Sequence, residues 1–574
     1  MAVDITIRIG GRAGQGMQSI GVLLGKIFTR HGYYVFVRQD VESRIRGGHS
    51  YVQVRIKDEP VFCHSDKVDI LIALDKGSMY LDQPDLAPDD IMIFDVIEKE
   101  FTSDNPARLP IPMEELAVEN GKNKIMANSV ATGAALALLG CELQPILDRL
   151  DEEFSARGKE IVEKNRNCVI AGYRYIQNNF KGTFPKKIPL APYKKEKLFI
   201  TGSQAIALGA VCSGLKFYSG YPMSPSTPIM ESVAAMSRRR GIIVEPAEDE
   251  IAAINMVIGA SFAGVRSMTA TSGGGFCLMV EGLGLAGMTE TPAVIVVAQR
   301  PGPSTGLPTR TEQADLDFVI HASHGEFPRA VFAPGHAEQA FYTMSKAFNI
   351  ADRFQTPVIV LGDQHLNDSY FTVDNLDLGR ITIDRGNIVN AEDMTSSLEY
   401  KRYAWDEAGV SPRILPGQTK AVVYADSDEH NESGHITESA TDRKEMVVKR
   451  LRKFDGIQNE MNPPEVYGEP EPDLLLLGWG STYGALREAA DILTQNGLKT
   501  EVWHFCDVFP FPDMNLLARL PEKTRIISVE NNSTGQFART LMGQGKIPID
   551  HQVFKFDGRP YSPKDVVTRV HRSL

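Results

Sequence analysis

Tyr221-Pro222-Met223-Ser224-Pro225-Ser226-Thr227-Pro228, followed by Glu248-Asp249-Glu250-Ile251-Ala252-Ala253, sets the reading of this chain. The first piece is a loop stiffened by prolines and rich in hydroxyls, leaving a strand expected at Leu215–Tyr218. The second opens an apolar, small-residue helix after a strand expected at Ile242–Val244. Glu250 shares a helical face with Ile254, Val257 and Ser261, so its carboxylate is expected to be partly buried. A carboxyl group in apolar surroundings can share a proton with a ligand nitrogen. The same acids also suit a plain helix start, where negative charge favours the macrodipole. The residues alone leave both readings open.

Around this stretch, Arg266–Thr271, Ala293–Ala298 and Val358–Leu361 are further apolar strands separated by helices. They predict a parallel sheet covered on both faces, in an α/β domain over residues 198–378. Upstream, residues 3–9 alternate as a strand, Gly10-Gly11-Arg12-Ala13-Gly14-Gln15-Gly16 opens a helix through Ile20, Leu23, Leu24 and Ile27, and Tyr34–Val37 is a second strand. That is a βαβ unit whose glycine-rich turn suits a phosphate or carboxylate. Strands at Tyr51–Ile56, Val68–Leu74 and Ile91–Phe94 and a helix at 127–139 complete an α/β domain over 1–181. Residues 182–197, rich in Pro and Lys, read as a linker. Residues 379–465 hold an acidic, His-containing run (Asp426–His435) and a basic helix (Asp442–Lys453), and read as a connector lying across other surfaces. Residues 466–574, with strands at Leu474–Leu477, Thr500–His504 and Arg525–Val529, form a third α/β domain.

Composition narrows the function classes. A chain of 574 residues has room for several domains, each with its own core. The net charge of −12 argues against a general nucleic-acid surface. The cysteines, Cys63, Cys141, Cys168, Cys212, Cys277 and Cys506, are scattered without a CxxC pair, so neither a disulfide framework nor an iron–sulfur site is expected in this chain. No apolar run reaches membrane-spanning length, and MAVDITIRIGG enters a strand directly, so a cytoplasmic location without a membrane is expected.

Two more loops follow strands of the middle domain, where open parallel sheets bind ligands. Thr269-Ala270-Thr271-Ser272-Gly273-Gly274-Gly275-Phe276 offers close backbone approach to a ligand, or simply a tight strand–helix turn. Gln299-Arg300-Pro301-Gly302-Pro303-Ser304-Thr305-Gly306-Leu307-Pro308-Thr309-Arg310-Thr311 holds two arginines on a stiff backbone, and a guanidinium fork matches a carboxylate in two places.

Together these motifs resemble the 2-oxoacid:ferredoxin oxidoreductases, and the whole chain is similar to their fused gamma–alpha (alpha) subunit, most like that of 2-oxoglutarate:ferredoxin oxidoreductase. Gly10–Gly16 and Arg46-Gly47-Gly48-His49 match the gamma part, and Gly409-Val410-Ser411-Pro412-Arg413 and Glu429-His430-Asn431-Glu432-Ser433-Gly434-His435 match later parts, all in the expected order. The resemblance implies a middle domain of the thiamine-diphosphate pyrimidine-binding type and a last domain like the transketolase C-terminal domain, within several doubly wound α/β domains. It implies that Glu250 contacts the aminopyrimidine as the catalytic carboxylate and that Pro222 also lines the cofactor. It implies that Ser224, Arg300, Thr309 and Arg46 contact substrate. Ser224 stands where the family usually has threonine and Met223 where it has isoleucine; serine keeps the hydroxyl and loses the methyl.

The usual Gly-Asp-Gly and Asn-Asn pair that holds diphosphate and Mg2+ is missing: Gly362-Asp363-Gln364 is the nearest approach, and Asn531-Asn532 lies far away. The resemblance therefore implies a separate beta subunit carrying the Mg2+ and diphosphate site and the iron–sulfur cluster, with ferredoxin as electron partner and an (alpha-beta)2 assembly. The implied activity is reversible oxidative decarboxylation of a 2-oxoacid to an acyl-CoA and CO2, with coenzyme A as co-substrate and 2-oxoglutarate as the expected substrate. Pyruvate or a branched or aromatic 2-oxoacid, a non-catalytic scaffold subunit, and an NAD-dependent dehydrogenase using the N-terminal turn are the alternatives. The last is disfavoured because Ser19 stands where a third fingerprint glycine would be.

Overall fold

The computed structural model describes residues 3–42, 48–96, 105–154, 158–182, 184–190, 197–389 and 400–574. The chain forms two compact units, Met1–Ile200 with Ser369–Leu376, and Thr201–Asp368 with Asp377–Leu574.

The first unit is built on an eight-stranded sheet in the order Arg108–Ile111, Leu86–Asp95, Val68–Ala73, Asp4–Gly11, Ser50–Lys57, Tyr34–Asp40, Tyr370–Val373, Leu198–Thr201. Asp4–Gly11 and Tyr34–Asp40 are not neighbours, because Ser50–Lys57 pairs antiparallel with both. The βαβ unit read from the sequence is thus split by a third strand. Its physical reason lies in Ser50–Lys57, whose residues are buried except at the two positions Tyr51 and Lys57, so the strand belongs in the sheet interior. Tyr370–Val373 and Leu198–Thr201 also join this sheet, although the sequence reading places them in the middle domain. Phe184 and Ile188, in the stretch read as a linker, are buried in the same core. The helices Ala127–Leu138 and Lys159–Asn179 meet at Gly133 and Gly172. A Cβ on either would lie 2.0 Å from a carbonyl oxygen of the other helix, so only glycine permits this crossing.

The second unit holds a seven-stranded sheet in the order Asp507–Phe509, Ala330–Phe332, Pro357–Asp363, Ala293–Gln299, Ser267–Thr271, Phe217–Gly220, Ile243–Pro246. All neighbours are parallel except the first pair. Its inner strands are buried along their whole length, as apolar runs between helices require. A five-stranded sheet, Glu465–Gly468, Thr500–Phe505, Leu474–Trp479, Arg525–Glu530, His551–Phe554, forms the C-terminal part. Asp507–Phe509 leaves that part to edge the seven-stranded sheet, so one core runs through both. The connector carries the helix Ala440–Asn459, longer than the expected Asp442–Lys453. No helix among the described residues is long and apolar enough to cross a membrane.

Candidate active site

The parallel strands of the seven-stranded sheet end at Gly220, Pro246, Thr271 and Gln299, and the four segments that follow carry the candidate residues. Loops at the carboxyl ends of such strands are where open α/β sheets bind ligands. The helix Glu250–Phe262 starts with Asp249 as its cap, whose side chain accepts from the Ala252 N–H at 2.8 Å. Asp249 thus does the capping and leaves Glu250 free for another task. Ile254, Val257 and Ser261 are buried on the Glu250 face, and Glu250 itself is only 5% exposed. Among the described residues its carboxylate has no hydrogen-bond or ion-pair partner.

The helix Gly273–Met288 begins with three glycines, and each makes room for a different neighbour. A Cβ on Gly273 would lie 2.4 Å from Asp315 Oδ2, and one on Gly274 would lie 3.1 Å from Met223 Cε and 3.6 Å from the Ser304 carbonyl oxygen. One on Gly275 would lie 2.1 Å from Thr271 Oγ1 and 2.5 Å from Glu250 Oε1. The glycine turn is therefore the place where the Tyr221–Pro228 loop, the Glu250 helix and the Arg300 loop converge. Ser272, just before it, is fully buried, and its Oγ has no hydrogen-bond partner.

Arg300 is 8% exposed, and its Nη1 donates to the Ser224 carbonyl oxygen at 2.7 Å. That bond ties the arginine loop to the proline loop. Burial lowers the Arg300 pKa, with Asp315 opposing the shift. Pro222 and Ser224 are exposed, and Thr309 is half-buried on the arginine loop. The loop turns back at Gly306, whose φ is +48° and whose Cβ, if present, would lie 1.7 Å from the Pro301 carbonyl oxygen. Arg46 lies outside the described residues.

Two acids that the sequence reading passed over stand beside this site. Asp315 is pushed up to about 6 by burial, against the pull of Arg300, and its Oδ2 is buried without a partner. Glu312 is pushed up to about 7 by burial, then by Asp315 and Asp557. Their only sequence signal is position, immediately after the arginine loop.

The two remnants of a diphosphate motif are used internally. Asp363 is buried, accepts from the Leu366 N–H at 2.9 Å, and is hydrogen-bonded by Ser481 and Thr311. Asn532 Nδ2 donates to Gln313 O and Glu530 Oε2, while its Oδ1 accepts from the Thr534 and Gly535 N–H groups. The Asn531 N–H donates to Gln313 Oε1 and the Asn531 carbonyl oxygen accepts from the Gln313 N–H, so the pair joins the C-terminal sheet to the end of the arginine loop. Among the described residues no group of three or more His, Cys, Asp or Glu side chains is placed to hold a metal ion.

In the first unit the glycine-rich turn borders a cavity of about 240 Å3 lined by Gly14, Gln15, Asp75, Asp95, Glu114 and Lys124, among others. Its lysine is already paired with Glu114 at 2.7 Å. Within the turn the Arg12 N–H donates to Gln15 Oε1 and the Gln15 N–H donates to the Arg12 carbonyl oxygen, and the carboxylates of Asp75, Asp95 and Glu114 border the cavity.

Comparison with known proteins bears on both units. The family described as "Pyruvate flavodoxin/ferredoxin oxidoreductase, thiamine diP-bdg" matches residues 209–449, and "Pyruvate ferredoxin/flavodoxin oxidoreductase" matches residues 6–175. The chain is 34% identical to a 2-oxoacid:ferredoxin oxidoreductase subunit alpha from Sulfolobus sp, over 96% of this chain and 94% of that protein. It is 30% identical to the 2-oxoglutarate oxidoreductase subunit KorA of Mycobacterium tuberculosis, over 100% of this chain and 92% of that one. Its structure superposes with a TM-score of 0.91 on 2-oxoglutarate:ferredoxin oxidoreductase from Magnetococcus marinus, solved with 2-oxoglutarate, coenzyme A and succinyl-CoA bound, at 32% identity and 99% coverage of each chain.

Proposed function

We propose a function from one premise: the chain belongs to the 2-oxoacid:ferredoxin oxidoreductases and is an alpha subunit of that family. The enzyme it serves converts 2-oxoglutarate and coenzyme A to succinyl-CoA and CO2, passing two electrons, one at a time, to ferredoxin, and runs in reverse when reduced ferredoxin is supplied. The observation that carries this reading is Glu250, a buried carboxylate with no partner of its own, set at the meeting point of three ligand-facing loops.

Thiamine diphosphate, when bound, supplies the carbanion chemistry at the keto carbon. The residues of this chain fit one half of that cofactor. Glu250 hydrogen-bonds the aminopyrimidine and holds a proton on its ring nitrogen, with Pro222 beside it. Arg300, Ser224 and Thr309 hold the 2-oxoacid carboxylate, since Arg300 is held by a single carbonyl bond at Nη1 and keeps donors in hand. Asp363, Asn531 and Asn532 are spent on internal bonds, so the diphosphate, Mg2+ and the iron–sulfur cluster belong to a beta subunit. The helices that carry Glu250 and the glycine turn leave Ile251, Met256 and Leu278 exposed, which suits burial against that partner in an (alpha-beta)2 assembly. A cytoplasmic location fits a ferredoxin-linked enzyme.

The test is to purify the chain with its partner subunit and assay several 2-oxoacids with coenzyme A and a one-electron acceptor. Turnover of 2-oxoglutarate is expected; silence with every 2-oxoacid would end the proposal. The generic 2-oxoacid name of the Sulfolobus relative favours a broader second reading, in which pyruvate is also used. Arg46→Ala separates the two. If Arg46 holds the distal carboxylate of 2-oxoglutarate, its loss penalises that substrate far more than pyruvate, because a buried carboxylate without a partner costs several kcal/mol. An unchanged ratio of kcat/KM values removes Arg46 from substrate reading.

A further inference from the structure

The connector is pinned to the second unit by buried charges that do not balance. Glu290, fully buried, takes Lys449 Nζ at 2.7 Å and Lys453 Nζ at 2.6 Å, and also lies in the field of Arg402. Asp352, also buried, takes Arg266 Nε and Arg385 Nε, each at 2.8 Å. Both carboxylates are therefore oversubscribed, and two more guanidiniums stand close by. Arg402 is 1% exposed and Arg413 5% exposed, and neither has a carboxylate within ion-pair distance among the described residues.

A backbone group satisfies only part of the Arg402 side chain. Arg402 Nη2 donates to the Glu290 carbonyl oxygen at 2.8 Å, but Arg402 Nη1 is buried with no partner. Arg413 Nη1 is buried with no partner as well. The charge acting most strongly on Arg413 is Arg402 itself, with Asp352, Arg385 and Tyr400 weaker. Burial, then the repulsion from Arg402, pushes Arg413 down to about 10. The Tyr400 hydroxyl, two residues before Arg402, donates to the Pro412 carbonyl oxygen at 2.9 Å and accepts from the Ile414 N–H at 3.0 Å, so the segments that carry the two arginines lie side by side. Two like charges on adjoining segments out of water, each with an idle N–H donor, call for a negative charge that the described side chains do not supply. A water molecule would satisfy the donors and leave the charge uncompensated.

We propose that Arg402 and Arg413 hold a small monovalent inorganic anion of the size and hardness of chloride, which fastens the connector to the body of the second unit. The anion would accept from both Nη1 groups. It plays no part in the redox chemistry, and its binding shows in stability rather than in the reaction.

The test uses the full chain with its partner subunit. Crystals transferred from chloride to bromide are expected to show a bromide anomalous peak between the two guanidinium groups. In solution, melting at constant ionic strength is expected to rise by roughly 2 °C or more when gluconate is exchanged for chloride, because a ligand bound only by the folded state stabilises it by mass action. Arg413→Met is expected to abolish that chloride dependence. Density without anomalous signal between the arginines, or melting curves that coincide in chloride and gluconate, would overturn the proposal. So would a folded Arg413→Met variant that keeps the full chloride response. If that variant fails to fold, the anomalous peak alone decides.

Discussion

On the proposed reading, the chemistry turns on Glu250. Glu250→Gln keeps the side-chain volume and removes the ability to share a proton. The assembled enzyme is expected to keep its melting temperature and lose about 10²–10⁴-fold in kcat, the range for general acid–base roles. Near-normal turnover would detach Glu250 from the cofactor. Gly275→Ala asks the same question from the other side. Its new Cβ would fall 2.1 Å from Thr271 Oγ1 and 2.5 Å from Glu250 Oε1, so the carboxylate must move. A displacement on that scale costs about 10²-fold in rate, and wild-type kinetics in this variant would show that the position of Glu250 is not critical. Arg300→Lys replaces a fork by a point charge. Loss of a charge-assisted bond worth roughly 1.5–3 kcal/mol predicts a fall in kcat/KM for the 2-oxoacid of about ten- to a hundredfold, with stability little changed.

At the scale of elements, the helix Ala440–Asn459 looks in sequence like a basic surface helix, and its charge pattern gives no reason to bury Lys449 or Lys453. The structure buries both on Glu290, which lies just beyond the C-cap of the helix Gly273–Met288, in a different part of the chain. Glu429 plays a parallel role outside that cluster, taking Arg450 at 2.8 Å and Arg443, while His430 packs on Tyr403 at 4.0 Å between ring centres. The Glu429–His435 motif thus folds the connector back on itself and anchors it. Glu290→Gln leaves two buried ammonium groups facing an amide. Removing one partner of a buried pair costs about 3–5 kcal/mol, so the urea midpoint of the second unit should fall markedly. A midpoint unchanged from wild type would show that the cluster does not hold the connector.

Across the second unit as a whole, stability is expected to depend on pH through His336 and His504, buried where the C-terminal sheet meets the seven-stranded sheet. Burial pushes His504 down to about 4, and burial together with His504 and Arg487 pushes His336 down to about 3. Both pKa values lie below those of the unfolded chain, so the unfolded state binds protons first on acidification. The stability these residues contribute is complete above about pH 6.5 and is lost as pH falls toward 4, at up to about 1.4 kcal/mol per pH unit for each histidine. Buried acids with raised values, such as Asp368 at about 6, act in the opposite sense, their contribution being lost as pH rises through that value. The difference between wild type and His504→Gln isolates the histidine: the variant's melting temperature should decline less steeply between pH 6.5 and 4.5, and parallel curves would refute the assignment. The sequence by itself determined the local elements of this protein. The strands of the seven-stranded sheet, the glycine turn and the Glu250 helix were legible because apolar period, glycine and proline act within a few residues, and the order of the motifs carried the family. Only the tertiary structure decided what depends on distant partners: Ser50–Lys57 splitting the βαβ unit, Tyr370–Val373 returning to the first sheet, and Asp507–Phe509 edging the second. The same holds for Asp315 and Glu312 beside Arg300, and for Glu290 beneath Lys449. Pairing, burial and charge compensation are properties of segments far apart in the chain, and no local pattern encodes which of them meet.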